Sequence, residues 1–206
     1  MKLHADLALP AAVDTASLPW VPSPARGVMR RMIERDGLEQ ARCTSRVTYA
    51  PDSNFPPHAH PHGEEILVLA GTFHDERGTY PAGTYMRNPH GSVHSPGSRP
   101  GCELLVKLRH LSDRPNASVV VDTLCGSAAW QTLPARQGRI RGLWLGGEQP
   151  EASWLLEAEV GAVFELPHGP GVAAGGEEVY EIATGRWSRR PAAGISGWRN
   201  RADGFS

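Results

Sequence analysis

The 206-residue chain lacks several features that would place it in a common class of protein. It contains no apolar run of about 18 residues, which excludes a membrane-spanning helix. Its 21 basic and 22 acidic residues nearly cancel, which excludes the basic footprint of a nucleic-acid-binding protein and an acidic disordered tail. His4 and Asp6 interrupt any signal-like apolar core near the start. We therefore expect a cytoplasmic protein with neither nucleic-acid nor membrane partners.

Cysteine is also scarce. Cys43, Cys102 and Cys125 are an odd number, lie far apart and form no C-x-x-C pair. This pattern predicts a reducing compartment and no cysteine metal cluster. The three thiols are expected to be buried and to pack as small apolar side chains.

Sustained helical periodicity is missing as well, and short alternating segments take its place. Apolar and polar residues alternate over 42–49 and 102–109, as in strands with one buried face. Asp36-Gly37 precedes the first of these segments and is typical of the tight turn of a hairpin. The 23 glycines and 18 prolines are scattered among short apolar stretches, as in a fold with many turns. The sequence therefore predicts an all-β fold.

Several histidines are spaced in a way that suits metal binding. His58 and His60 are two residues apart, so on a strand their imidazoles point to the same face. The Pro-His-Gly sequence that follows bends the chain, which allows Glu64 to return towards the same point. His94 follows a second turn rich in glycine and proline. Three imidazoles and one carboxylate suit a divalent transition metal, and the residues alone leave zinc, iron, manganese, nickel and copper open.

The spacing of these residues resembles the two metal-binding motifs of cupins. The motifs correspond to His58-x-His60-x3-Glu64-x6-Gly71 and Gly83-x5-Pro89-x-Gly91-x2-His94. Asp52 and Ser98 stand where the motifs usually have Gly and Asn, and neither position is a metal ligand in the family. The resemblance implies the cupin double-stranded β-helix, a jelly-roll barrel. It also implies one divalent metal ion per chain, bound by His58, His60, Glu64 and His94.

Residues 20–110 resemble, more narrowly, the cupin domain of the ChrR anti-sigma factor family. The likeness is carried by residues 62–89 and 101–108. It implies zinc as the metal, ahead of iron(II), manganese or nickel, and a role in sensing oxidative stress such as singlet oxygen. In that family the anti-sigma activity belongs to a separate helical domain, which we expect this chain to lack.

An internal repeat predicts two related units. Gly63-Glu64-Glu65-Ile66 is echoed by Gly176-Glu177-Glu178-Val179. We therefore predict a tandem bicupin, with a metal-binding domain over 1–125 and a degenerate, metal-free second barrel over 126–206. Pro167 and Gly169 stand in the second unit where the first has His58 and His60. Because the second barrel lacks its last strand, we expect residues 1–19 or another subunit, as in a homodimer, to cover its open edge.

Ordinary roles are expected for the remaining notable side chains. Glu65 should point away from Glu64 as a solvated carboxylate, and the arginines of 186–201 should form a solvated face. The residues expected to lie at the surface are His62, His74, His90 and His110, and His168 is not expected to bind a metal. The side chains assigned to core packing, or to a small-molecule site at the mouth of the first barrel, are Tyr80, Tyr85, Met86 and Arg87.

Two functions remain open at this level. The ChrR resemblance implies a metal-dependent sensory or stress-response module that acts on a protein partner. The alternative is a mononuclear non-haem iron(II) dioxygenase that binds a small diketone or phenolic substrate in the first barrel. Four protein ligands close a tetrahedral zinc site but leave two positions of an octahedral ion open, so the identity of the metal separates the two.

Overall fold

A computed structural model describes residues 1–113, 117–125, 130–132, 138–144, 152–158, 163–164, 177–190 and 198–199. Within these ranges the chain consists of β-strands and turns, with a single 3-10 turn at Thr15–Ser17. No helix in this part of the chain has the length and hydropathy needed to cross a bilayer. The fold class is therefore all-β, as the alternating pattern predicts.

The strands are short in most cases and pair antiparallel throughout. Those of the first 125 residues are Lys2–Leu3 (β1), Ala11–Asp14 (β2), Val21–Pro22 (β3), Val28–Asp36 (β4), Arg42–Tyr49 (β5), Ser53–Asn54 (β6), His58–Ala59 (β7), Glu64–Asp75 (β8), Gly78–Pro81 (β9), Thr84–Asn88 (β10), Val93–His94 (β11), Gly97–Ser98 (β12), Cys102–Leu108 (β13) and Val119–Asp122 (β14). Those that follow are Gln131–Thr132 (β15), Gly138–Trp144 (β16), Ser153–Ala158 (β17), Val163–Phe164 (β18), Glu177–Glu181 (β19), Arg186–Arg190 (β20) and Trp198–Arg199 (β21).

The main sheet has the strand order β1-β4-β5-β13-β8-β10-β14. Strands β4 and β5 form the predicted hairpin, in which Asp36 lies opposite Arg42. Gly37 has a φ of 133°, a conformation that favours glycine in the connecting turn. Strand β13 then inserts between β5 and β8, so that residues distant in sequence become neighbours in the sheet.

The core of the first unit lies on one face of β8 and β13. Ile66 and Val68 alternate along β8 and are at most 2% exposed, and Leu104 occupies the same face of β13 at 1%. Phe73 and Met86 complete the buried cluster. Burying such side chains supplies most of the stabilisation of a sheet of this kind, at roughly 25 cal/mol per Å² of apolar surface. Glu64 belongs to the same row as Ile66 and Val68 by strand alternation, so the core face of β8 begins with a carboxylate.

The opposite face of the same strands is covered by the second half of the chain. Glu65 accepts hydrogen bonds from Tyr85 and Ser153, each at 2.5 Å, and its side chain is 11% exposed. Lys107 forms an ion pair of 3.0 Å with Glu178 on β19. The predicted direction of Glu65 is therefore right, but the expected solvated carboxylate is wrong. The reason is that another part of the chain packs on a face that would otherwise meet water.

The arginines of the C-terminal segment correct a second expectation. Along β20 the side chains alternate, and Trp187 and Arg189 point inwards with exposures of 1% and 2%. Arg189 binds the Glu34 carboxylate at 2.5 Å and the main-chain oxygen of Asp6 at 2.8 Å. Arg189 is thus a buried residue with a carboxylate partner rather than part of a solvated face. Arg201 lies outside the described residues.

The N-terminal segment joins the two halves of the chain. Ala11–Asp14 pairs antiparallel with β20, and β20 pairs with β19 to form a three-stranded sheet. The hypothesis that residues 1–19 cover an edge of the second unit expects a pairing of this kind. The division into 1–125 and 126–206 and the degenerate second barrel stay predictions. Pro167, His168 and Gly169 lie outside the described residues.

The cysteines only partly follow the expectation. Cys43 and Cys102 are buried, whereas Cys125 is exposed. Burial raises the pKa of the Cys102 thiol to about 11, so this side chain packs as a neutral group. The prediction of three buried cysteines is therefore wrong for Cys125, which follows the edge strand β14.

Candidate metal centre

The two histidine motifs meet at one end of the first unit. His58 on β7 lies directly opposite His94 on β11 in a two-stranded ladder. The main chain of His60 closes the loops around them, because its N–H donates to the Ser92 carbonyl at 2.9 Å and its carbonyl accepts from Gly91 N–H at 3.0 Å. The backbone thus brings together residues that are more than thirty positions apart.

The bend before Glu64 follows from two successive residues in the left-handed region. His62 has a φ of 57° and Gly63 a φ of 64°. A Cβ atom at Gly63 would lie 2.8 Å from the Asn88 carbonyl oxygen and 2.5 Å from Leu111. Only glycine fits this contact in this conformation. The turn therefore has the predicted role of returning the Glu64 carboxylate towards the histidines.

The side-chain nitrogens and the carboxylate converge on one point. Nε2 of His60 and Nε2 of His94 are 2.9 Å apart, and each lies 3.5 Å from Oε2 of Glu64. His58 completes a group in which the ligand nitrogens of the three histidines lie within 4.8 Å of one another. Its side chain is partly exposed, whereas the other three residues are buried. The structure therefore brings all four predicted residues to one place.

These distances agree with the edges of a metal coordination polyhedron. Ligand atoms that are each about 2.1 Å from one ion lie about 3.0 Å apart when adjacent in an octahedron and about 3.4 Å apart in a tetrahedron. The three contacts among His60, Glu64 and His94 are 2.9, 3.5 and 3.5 Å. These three donor atoms thus fit one divalent ion, and their spacing agrees with either geometry.

The pKa shifts within the cluster also favour the binding of a cation. Burial, together with the neighbouring His94 and His58, lowers the pKa of His60 to about 3, so this imidazole is neutral as a metal ligand must be. Burial lowers the pKa of His94 as well. Burial raises the pKa of Glu64 to about 8, although the Asn88 amide hydrogen bond opposes the rise. A divalent ion would supply the positive charge that keeps this carboxylate ionised at neutral pH.

Two further residues hold the ligands in place. The Asp75 carboxylate lies 3.4 Å from Nδ1 of His94, and the Asn88 side-chain N–H donates to Oε2 of Glu64 at 3.1 Å. Arg77 links them, since its Nη2 donates to Asp75 at 2.7 Å and to the Asn88 oxygen at 3.1 Å. Tyr80 O–H donates to the other Asp75 oxygen at 2.9 Å. The local sequence pattern does not predict the roles of Asp75, Arg77 and Asn88.

One signal in the sequence would have located Asn88. It lies directly opposite Glu64 in the β8–β10 ladder, so pairing these two alternating segments in the correct register places the amide beside the carboxylate. The segments are separated by strand β9, so the register does not follow from a short turn. Asp75 is the last residue of the 12-residue strand β8, eleven positions after Glu64, so its contact with His94 does not follow from local spacing.

The remaining predicted side chains divide into confirmed and corrected assignments. His62 and His90 are exposed, as expected. His110 is not a simple surface residue, because it groups with Glu34 and Glu178, and burial together with Lys107 lowers its pKa to about 4. Met86 is fully buried in the core, and Tyr80 contacts Asp75. The side chains of Tyr85 and Arg87 contact Glu65 on the opposite face of the sheet from Glu64.

The strand arrangement and the clustered histidines define a cupin-fold protein. A Nostoc punctiforme protein named "putative dioxygenase" superimposes with a TM-score of 0.55 and 16% identity, covering 76% of this chain and 63% of that one. A cupin-fold protein of unknown function from Ralstonia eutropha gives a TM-score of 0.42 and 21% identity, covering 47% of this chain and 64% of that one. The chain therefore spans less than two thirds of the length of these relatives. The model of the ChrR cupin-like domain family matches residues 9–112, and the chain belongs to this family.

A complex that contains the anti-sigma factor ChrR is among the similar structures. The Rhodobacter sphaeroides complex of SigE with the anti-sigma ChrR matches with a TM-score of 0.39 and 22% identity, covering 45% of this chain and 50% of that one. The curated proteins contain no match to this chain.

Proposed function

We propose that the first unit binds one divalent metal ion through His58, His60, Glu64 and His94, and that the protein acts as a metal-dependent sensory or stress-response module. The observation that carries the proposal is the buried triangle formed by Nε2 of His60, Nε2 of His94 and Oε2 of Glu64, with edges of 2.9 to 3.5 Å. Zinc is the metal we expect, ahead of iron(II), manganese or nickel.

The sensory role is supported by the surroundings of the ligands. Three of the four are buried, and the main-chain bonds of His60 tie together the loops that precede Glu64 and His94. Because a preformed site is rare in an unfolded chain, the binding free energy of the ion stabilises these loops directly. Loss or oxidation of one ligand would therefore loosen the loops and alter a surface that a protein partner contacts. The ChrR family membership favours this role, since the ChrR of the solved complex binds SigE.

A second candidate function is that of an iron(II) dioxygenase acting on a small diketone or phenolic compound. It is favoured by the partial exposure of His58, which leaves one side of the cluster accessible. Iron(II) bound by four protein ligands would retain two coordination positions for small molecules. In that case the same four residues would hold the catalytic ion.

The second unit is proposed to be a degenerate, metal-free cupin barrel, with the domain boundary near residue 125. The hairpins β16–β17 and β19–β20 support an all-β second unit. The match to the Nostoc structure covers 76% of the chain and so extends beyond the first unit. Whether a second subunit adds to this unit is tested by measuring the molar mass in solution.

The decisive experiment is elemental analysis of untagged protein purified without chelator and without oxygen. We expect one zinc ion per chain, together with no oxygen uptake in a screen of small diketones and phenols. One iron ion with oxygen uptake would instead establish the dioxygenase. Release of zinc on exposure to singlet oxygen, followed by a change in protein contacts, would support the sensor.

Matched variants make the ligand assignment falsifiable. His58→Ala and His94→Ala are expected to lose the ion and to lower the melting temperature of the metal-loaded protein. His74→Ala serves as the control, because His74 belongs to none of the metal-competent groups among the described residues. Unchanged metal content in both ligand variants would contradict the site.

A further inference from the structure

A second group of metal-competent side chains lies at the surface beside the buried cluster. It consists of His62, His90 and Asp113, whose ligand atoms all lie within 4.8 Å of one another. Their side chains are 48%, 40% and 60% exposed. We propose that these three residues form a second, solvent-exposed site for a divalent transition metal, which binds more weakly than the buried one.

The contacts converge on one oxygen atom. Oδ1 of Asp113 lies 2.5 Å from Nδ1 of His62 and 3.2 Å from Nδ1 of His90, and the two imidazole rings are 5.6 Å apart. Two imidazoles and one carboxylate form a donor set that zinc, nickel, copper and iron(II) all accept. Because the side chains are exposed, water would complete the coordination of a bound ion.

A hydrogen bond from the main chain positions the His90 ring. The main-chain N–H of His62 donates to Nδ1 of His90 at 2.9 Å. Nδ1 has one in-plane lone pair, which this hydrogen bond occupies, so an ion bound at Nδ1 would replace the bond from His62. The Asp113 oxygen lies 3.2 Å from the same nitrogen and would share that ion.

The backbone holds the three residues in place without a metal. Leu111 N–H donates to the His62 carbonyl, and Arg109 N–H donates to the Gly63 carbonyl, both at 3.0 Å. These bonds fix the segment that carries Asp113 against the turn that carries His62. His62 itself has a φ of 57°, a conformation that is uncommon for residues other than glycine. The chain therefore maintains a strained turn that directs this ring towards His90 and Asp113.

The two sites share the same pair of loops. One loop carries His60 and His62, and the other carries His90 and His94, and Gly91 N–H donates to the His60 carbonyl at 3.0 Å. An ion bound at the surface would therefore lie on the loops that position ligands of the buried cluster. Such an exposed site is expected to exchange its ion readily with solvent.

One more group of metal-competent side chains occurs in the described part of the chain, and its carboxylates already have cationic partners. Glu34, His110 and Glu178 also bring their ligand atoms within 4.8 Å of one another. Their carboxylates are already bound to cationic side chains, namely Arg42, Arg189 and Lys107. Since these ion pairs satisfy the negative charge, that group is a structural network and carries no metal proposal.

The test is a calorimetric titration of untagged, metal-depleted protein with Zn²⁺. We expect one tight and one weaker binding event. Asp113→Asn and His90→Ala are expected to abolish the weaker event and to retain the tight one, whereas His58→Ala is expected to weaken the tight event alone. His74→Ala is the matched control and should leave both events unchanged. Circular dichroism of each metal-free variant checks that it is folded.

The outcomes separate this inference from the proposed function. A single event that disappears in Asp113→Asn but persists in His58→Ala would support the surface site while contradicting the buried one. A weaker event that is unchanged in both Asp113→Asn and His90→Ala would overturn the surface site. A single event in the unaltered protein that is lost in His58→Ala and unchanged in Asp113→Asn would overturn it as well.

Discussion

The carboxylate of Asp75 lies 3.4 Å from Nδ1 of His94, on the opposite edge of the ring from the Nε2 atom that faces His60 and Glu64. A carboxylate in this position accepts a hydrogen bond from Nδ1–H and so leaves the Nε2 lone pair directed at the ion. Arg77 and Tyr80 fix the carboxylate in turn, and the hydrogen bonds from Arg77 and Tyr80 lower the pKa of Asp75 despite its burial. Asp75 is therefore a positioning residue for the candidate metal centre.

Asp75→Asn is expected to lower the affinity for the buried ion by roughly 10- to 100-fold, because the neutral amide orients and polarises His94 less well. Competition for Zn²⁺ with a chelator of known affinity measures the change. Tyr80→Phe is the control, since it removes one bond to Asp75 but leaves the contact with His94 in place. An affinity unchanged by Asp75→Asn would show that the carboxylate does not act on the ligand.

The position of the proposed ligand residues can be predicted from the sequence because their arrangement depends on local rules. The two-residue spacing of His58 and His60 fixes a common face, and the turn before Glu64 contains the glycine that its left-handed conformation requires. The alternation over 102–109 likewise predicts strand β13 and its buried face. In each case the information lies within a few consecutive residues.

The supporting residues depend on contacts between distant segments and so do not follow from local pattern. Alternation shows that Glu65 opposes Glu64 but not that Ser153 and Lys107 meet it there. The arginines near the C-terminus form a charged run, and only the pairing of β2 with β20 shows why Arg189 is buried. Both residues were predicted to be solvated because a local sequence pattern does not show how the two halves of the chain pack together.

The buried ion pair between Glu34 and Arg189 is expected to be important for stability. The two side chains are 0% and 1% exposed and make a contact of 2.5 Å. Arg189→Met is expected to lower the free energy of unfolding by about 1–3 kcal/mol, because the buried carboxylate loses this partner and keeps only its ion pair with Arg42. Burial already raises the pKa of Glu34, so the variant is expected to take up a proton there. Urea unfolding at neutral pH measures the loss.

A double variant separates the charge from the packing of this pair. Glu34→Leu combined with Arg189→Met removes both charges and should recover part of the lost stability. Arg186→Met is the matched control, since this residue lies on the outward-facing side of the same strand. A double variant as unstable as the sum of the two single changes would contradict the coupling.

The lowered pKa of His110 predicts that the folded protein becomes less stable in mild acid. Burial and the nearby Lys107 lower its pKa from 6.5 to about 4 in the folded protein. The unfolded chain binds a proton as the pH falls through 6.5, whereas the folded chain resists protonation until about pH 4, so the free energy of unfolding decreases across this window. The charged groups that face His110 are Lys107, Glu178, Arg42, Glu65 and Glu34.

His110→Gln removes this titration while keeping a polar side chain. We expect the free energy of unfolding of the variant to depend less on pH between 6.5 and 4 than that of the unaltered protein, by at most about 1.4 kcal/mol per pH unit. Urea unfolding at several pH values measures both slopes. His4→Gln provides the comparison for an exposed histidine. Identical slopes for His110→Gln and the unaltered protein would contradict the assignment.

The turn before Glu64 predicts that alanine destabilises the protein more at one glycine than at another, although both glycines have a left-handed backbone conformation. Gly63 has a φ of 64° and Gly91 a φ of 77°, but a Cβ at Gly63 would lie 2.8 Å from the Asn88 carbonyl oxygen, whereas one at Gly91 would meet nothing within 4 Å. Gly91→Ala should therefore cost about 1–2 kcal/mol for the conformation alone. Gly63→Ala should cost roughly 1–3 kcal/mol more, because the close contact must also be relieved.

The same pair of variants tests how the turn serves the candidate metal centre. Relief of the contact at Gly63 moves the start of β8, where Glu64 lies, so Gly63→Ala should also weaken the binding of Zn²⁺ at the buried cluster. Gly91→Ala should affect the ion less, because no neighbouring atom has to move. Urea unfolding of the metal-free proteins and chelator competition of the loaded ones measure the two effects separately. Equal losses of stability and affinity in both variants would show that the conformation alone, and not the contact with Asn88, sets the position of Glu64.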